Sequence, residues 1–149
     1  GVSFSPDGET IASVSADGTV KLWNRQGQEL QSLEGHSNAV YGVSFSPDGE
    51  TIASAGWDGT VKLWNRQGQE LQSLQGHGSA VYGVSFSPDG KTVTSVSADG
   101  TVKLWNFDLD DLLARSCDWL HDYLVNNPKV KPEERSLCPD AEAAYQARQ

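Results

Sequence analysis

The chain has 149 residues, 20 Asp and Glu against 11 Lys and Arg, and a formal net charge of −9. Its 37% apolar content is too high for a disordered segment and ordinary for one soluble β-rich domain. Acids outnumber bases in residues 1–106 and again in 107–149, so no basic patch is available for phosphates, and neither nucleic acid nor an anionic membrane is an expected partner. No apolar run approaches the ~18–20 residues of a membrane span, and no signal-peptide pattern opens the chain.

The text GVSFSPDG begins at Gly1, Gly42 and Gly83, a period of 41 residues. Residues 1–41 and 42–82 agree at 35 of 41 positions, and 83–106 agrees with 1–24 at 21 of 24, so one packing unit is being stacked. In chain order, the second copy reads as four strands. Tyr41 to Ser46 alternates Val43 and Phe45 with smaller residues and is followed by the turn Pro47-Asp48-Gly49. Thr51 to Ala55 leads to the tight turn Asp58-Gly59, and Thr60 to Asn65 leads to Gln67-Gly68. Glu70 to Leu74 is the outer strand, and Gly76-His77 opens the next copy. Closely spaced strands between turn signals make antiparallel meanders, which need neighbours to bury both faces.

The pattern GH…V..V.FSPDG..IAS…DGTVKLWN resembles the WD40 repeat over residues 1–106. The resemblance implies an all-β fold of WD40-type β-propeller blades, each a four-stranded antiparallel meander. The repeats run 1–41, 42–82 and 83–106, and a small α-helical C-terminal extension spans 107–149. One departure is Trp-Asn for the naming Trp-Asp pair, at Trp23-Asn24, Trp64-Asn65 and Trp105-Asn106.

The family likeness also implies a buried hydrogen-bonded tetrad in each blade. Motif match places it at His36, Ser54, Asp58 and Trp64, then at His77, Ser95, Asp99 and Trp105. The first blade supplies Ser13, Asp17 and Trp23. Such a set pins the entry loop, the second turn and two strands, and gives each buried polar atom a partner. Ser, His and Asp together invite a hydrolase reading, with an enzyme using the central channel as the alternative. The set recurs in every blade, however, and lacks a Gly-x-Ser-x-Gly elbow, so a structural role is expected and no enzyme. No metal or cofactor site is expected. His36 and His77 are already used and His121 stands alone, while Asp108, Asp110 and Asp111 lack the Gly and distal Glu of a calcium loop.

Five of the six differences between the first two copies fall beside the Asp-Gly and Gly-His turns: Val14/Ala55, Ser15/Gly56, Ala16/Trp57, Ser37/Gly78 and Asn38/Ser79. In the resembled fold both loops open on one rim, which makes that rim the expected binding face for other proteins or peptides. Its candidate residues are Trp57, Tyr41, Tyr82, Ala16, Ala98, Asn38 and Ser79, with Trp57 the expected anchor.

After Asn106 the repeat stops. Asp108 is a suitable N-cap for a helix carrying Leu109, Leu112, Leu113, Cys117, Leu120 and Leu124 on one face. Asn126-Asn127-Pro128 ends it, a second helix is expected from Pro132 past Leu137, and the first is expected to cover the propeller edge. The tail is similar to C-terminal extensions of repeat-rich bacterial WD40 proteins, in which a nucleotide-binding signalling module often precedes the propeller. The expected role is therefore an interaction scaffold or sensor module. The Met-free composition and the four, four and three strands suggest a piece of a longer propeller. Its remaining blades, or further copies of the chain, would close the ring. Cys117 and Cys138 fit neither a Cys-x-x-Cys pair nor a disulfide framework, so a reducing, cytoplasmic setting is expected.

Overall fold

The structure, a computed structural model, describes residues 1–108, 112, 115–117, 120, 123 and 138. The chain divides into two compact units, Gly1–Asn106 and Phe107–Gln149. The first unit holds eleven strands in three antiparallel sheets. Blade 1 is β1 (Val2–Phe4), β2 (Thr10–Val14), β3 (Val20–Asn24) and β4 (Glu29–Leu33). Blade 2 is β5 (Val40–Phe45), β6 (Thr51–Gly56), β7 (Val61–Asn65) and β8 (Glu70–Leu74). Blade 3 is β9 (Val81–Phe86), β10 (Thr92–Ser97) and β11 (Val102–Asn106). In each sheet the strands lie side by side in chain order, as a meander does. The expected strands of the second copy lie within a residue of these bounds.

Short side chains close the turns. Between β5 and β6, the Ser46 hydroxyl donates to Asp48 Oδ1 at 2.5 Å and accepts the Thr51 amide at 2.9 Å. The Glu50 amide binds the same carboxylate at 3.0 Å, and the same bonds recur at Ser5-Asp7 and Ser87-Asp89. Between β6 and β7, Gly59 turns the chain at φ +82°, in the left-handed region that suits glycine. After β3 and β7 comes an Asx turn: the Asn65 side-chain oxygen accepts the Gln67 and Gln69 amides at 3.0 and 2.9 Å, as Asn24 does for Gln26 and Gln28. That bonding explains how Asn serves in the Trp-Asn pair, since the turn needs an acceptor oxygen and no charge.

Strand register assigns each side chain to a face. Val43, Phe45, Ile52, Ser54, Lys62 and Trp64 share one face of blade 2, and Ala53, Ala55, Val61 and Leu63 share the other. The first face packs on blade 1: Val40, Phe45, Ile52 and Trp64 form one core with Ala12, Val20, Leu22 and Leu33. The innermost strand β5 lies beside both β1 and β9, so blade 2 is covered on both faces.

In the second unit, residues 112, 115–117, 120 and 123 are helical. The Leu112 amide donates to the Asp108 carbonyl at 2.9 Å, the bond expected of a first helical turn. Leu112 is exposed, while Cys117 and Leu120 are half-buried. Leu109, Leu113, Leu124 and the second helix expected after Pro132 lie outside the described residues. Among the described residues, no helix is long and apolar enough to cross a membrane.

The cysteines correct the sequence reading. Cys117 and Cys138 form a disulfide, with Cα atoms 5.4 Å apart. A separation of 21 residues does not reveal whether two Cα atoms approach within bonding reach, and that approach alone decides pairing. The expectation of a reducing compartment rests on unpaired cysteines and loses that support.

Candidate functional site

Loops fix the polar network, because each of its members comes from a different element. In blade 2, Trp64 Nε1 on β7 donates to Ser54 Oγ on β6 at 2.8 Å. Ser54 lies 2.7 Å from His36 Nε2 in the entry loop, and His36 Nδ1 lies 2.9 Å from Asp58 Oδ2 in the Asp-Gly turn. The Ser37 amide reaches the same carboxylate oxygen at 3.0 Å. One proton order satisfies every atom. The indole donates to the hydroxyl, the hydroxyl to a neutral imidazole, and the imidazole to the carboxylate.

Blade 3 repeats the arrangement, with Trp105 to Ser95 at 2.9 Å, Ser95 to His77 at 2.8 Å and His77 to Asp99 at 3.0 Å. Blade 1 keeps the Trp23 to Ser13 bond at 2.8 Å, and Asp17 Oδ1 accepts the Thr19 hydroxyl at 2.7 Å.

Burial sets the protonation. Removal from water pushes the His36 imidazole below its ordinary 6.5 and outweighs the opposing pull of Asp58, so the pair is a neutral ring bonded to a carboxylate. Burial also pushes the Asp58 carboxyl up, but bonds from the Thr60 hydroxyl, the His36 ring and the Thr60 amide together hold it below 3.8. At Asp99 the Thr101 hydroxyl is the leading cause of an acidity well beyond the usual carboxylate range.

Ser54 and Ser95 are 0% and 1% exposed, and each is bonded on both sides. A hydrolytic nucleophile must meet its substrate, and these hydroxyls face packed indole rings. The network is a strut for the loops above it.

Thr60 and Thr101 belong to the same set. Their hydroxyls donate to Asp58 Oδ1 and Asp99 Oδ1 at 2.7 and 2.6 Å. The Asp-Gly-Thr text of every copy carries that signal, but a surface Thr after a turn is so ordinary that pattern reading passes over it. Gly56 is a second case. A Cβ there would fall on His36 Nδ1 and lie 2.7 Å from Asp58 Oδ1, whereas blade 3 seats His77 with Ser97 at the equivalent position, so this close approach is particular to blade 2.

The rim lies above this strut. The Trp57 amide donates to the Ala39 carbonyl at 2.8 Å and the Ala98 amide to Ala80 at 2.9 Å, tying each Asp-Gly loop to its Gly-His loop. Trp57 is 52% exposed. Its ring centroid is 5.8 Å from Tyr41, whose ring is 5.7 Å from Tyr82 edge to face. Three aromatic rings from two blades thus form one exposed row. Beside Trp57 an open groove of about 260 Å³ is lined by Asp58, Gly59, His77, Gly78, Ser79 and Ala80.

Ala16 and Ala98 are exposed at the corresponding positions of blades 1 and 3, outside the aromatic row. Asn38 is exposed, with its side-chain oxygen accepting the Ala39 amide at 2.8 Å. Trp57, Tyr41, Tyr82 and Ser79 therefore come together, while Ala16, Ala98 and Asn38 stand on neighbouring loops.

Comparison with known families yields a match to the WD domain, G-beta repeat, over residues 1–24, 27–65 and 68–106. Among curated proteins no match is found.

Proposed function

The chain belongs to the WD40-repeat family, and on that premise we propose that it is a platform that takes a protein or peptide partner on the rim of Gly-His and Asp-Gly loops. Repeats of this family generally mediate protein–protein interaction and are typically non-enzymatic scaffolds. The observation that carries the rim reading is the row Trp57, Tyr41 and Tyr82. Blades 1 and 3 manage with Ala16 and Ala98, so blade stability does not require a large indole at 52% exposure. A rigid exposed aromatic anchored on a hydrogen-bonded loop is what binding hot spots use.

The outer faces support a second element of the proposal. Phe4 is 63% exposed and Leu104 is 70% exposed, and further blades, of a longer chain or of another copy, would cover them. The similarity of the tail to bacterial repeat proteins supports a sensing role at one end of a larger signalling protein.

A displayed random-peptide library selected on the full chain tests the rim. Binders should lose affinity when Trp57 or Tyr82 becomes Ala and should tolerate Leu30→Ala and Leu71→Ala on the outer strands. Binders that respond only to Leu30 or Leu71 would move the site to the circumference and overturn the reading.

A further inference from the structure

The rim has a charge pattern that its aromatic row alone does not explain. The loops that form it are residues 15–19, 34–39, 57–60, 75–80 and 98–101. They hold Asp17, Glu34, Asp58 and Asp99, and no Lys or Arg. The cations of the blades belong to other segments. Arg25, Arg66 and Lys91 lie in the turns at the opposite end of the strands. Lys21 and Lys62 stand nearer the rim but are paired with Glu29 and Glu70 at 2.7 and 2.8 Å, and the Lys103 stem lies beside Gly76. The rim loops themselves therefore carry acids only, and with Lys21 and Lys62 each paired to a glutamate their summed field favours a positive visitor.

The aromatic row lies in this field. Tyr41 touches both Trp57 and Tyr82, and Trp57 also walls the groove that holds Asp58. Ring faces attract cations through their quadrupole, most strongly for indole, and a guanidinium plane can stack on them as well. A nearby carboxylate adds to that attraction and opposes an acidic ligand. The His36, Ser37 and Thr60 bonds turn the Asp58 carboxylate toward the 34–39 loop, where it is a fixed and largely enclosed charge. Phosphate-bearing surfaces are disfavoured by the same field.

We propose that the rim binds a basic segment of a partner protein, laying an Arg or Lys side chain across the Trp57, Tyr41 and Tyr82 rings, in the field of the acidic loops. This rests on the platform reading above and adds the chemistry of the partner.

The test titrates the full chain with a labelled Gly/Ser-spaced Arg peptide and follows anisotropy at low and raised salt. Matched peptides carry Leu or Glu in place of Arg. The Arg peptide should bind, weaken with salt, and lose about tenfold in affinity with Trp57→Ala, with a smaller loss for Tyr82→Phe. Leu71→Ala, on the exposed outer strand, should change nothing, and the Glu peptide should not bind. A Leu peptide that binds as tightly, with the same Trp57 dependence, would overturn the cationic preference while leaving the rim as the docking face. Arg binding that ignores both Trp57 and Tyr82 would overturn this proposal as diffuse attraction, and would remove support from the rim. An Arg peptide that fails to bind folded chain overturns it as well.

Discussion

Blade 2 and its neighbours carry nearly the same residues under different cover. Phe45 in blade 2 is 7% exposed, whereas its counterpart Phe4 in blade 1 is 63% exposed. On the other face, Val61 and Leu63 are 0% and 6% exposed, against 61% and 70% for Val102 and Leu104 in blade 3. The residue type is the same in each case, and β1 pairs with β2 as β5 does with β6, but β11 is an edge strand where β7 has β8 beside it. What changes is whether another sheet lies on top and, for β11, whether an outer strand lies beside it. A blade thus folds its hydrogen-bond ladder locally and obtains its hydrophobic stabilisation from the stack.

That contrast can be broken most sharply at its two phenylalanines. Phe45→Ala should cost about 3–5 kcal/mol in denaturant melts, because it empties a site closed by blade 1. Phe4→Ala should cost far less, since most of that ring is already in water. Equal losses would show that a second copy covers the outer face of blade 1 in solution.

Next in size is the strut. Asp58→Ala removes the acceptor of His36 and of the Thr60 hydroxyl, at a cost of about 1–3 kcal/mol. Asp17→Ala should cost less, because Asp17 is exposed and accepts bonds from its own turn at Thr19. Matching losses in paired melts would contradict the assigned role.

Acid gives a smaller, graded version of the same test. His36 is held below 6.5 in the folded chain, so the unfolded chain takes up that proton first. Stability should begin to fall as pH drops below about 6.5. Asp58 and Asp99 are held below 3.8, and their contribution is lost at lower pH, as the solution passes from 3.8 toward their folded values. The melting temperature followed from pH 7 to 5 should decline in the wild type and decline less in His36→Gln. A flat wild-type profile would mean that burial does not depress the His36 ring.

The smallest effect concerns Trp57. Trp57→Ala restores the residue that blades 1 and 3 carry, and should change stability by less than about 0.5 kcal/mol. A large drop in melting temperature would make Trp57 a packing residue and sharpen blade 2 into a structural exception.

Much of this molecule is legible in its text. The period places the strands to within a residue, because turn residues such as Gly59 and Asn65 act locally and repeat. The tetrad is legible through the family pattern that recurs in each copy. Thr60 and Gly56 are not legible, because their roles depend on a carboxylate oxygen and an imidazole brought close by loops from elsewhere in the chain. Tyr41, Trp57 and Tyr82 can be suspected singly, but nothing in their order says that they touch.

The sequence by itself determined the repeating meander, since strand alternation and turn chemistry operate over a few residues, and its likeness to the family pointed to the four tetrad members of blades 2 and 3. Only the tertiary structure decided which copies of Phe, Val and Leu are buried, that three rings from two blades make one row, and that Cys117 meets Cys138. Those outcomes depend on distances between segments far apart in the chain, and periodicity carries no measure of such distances.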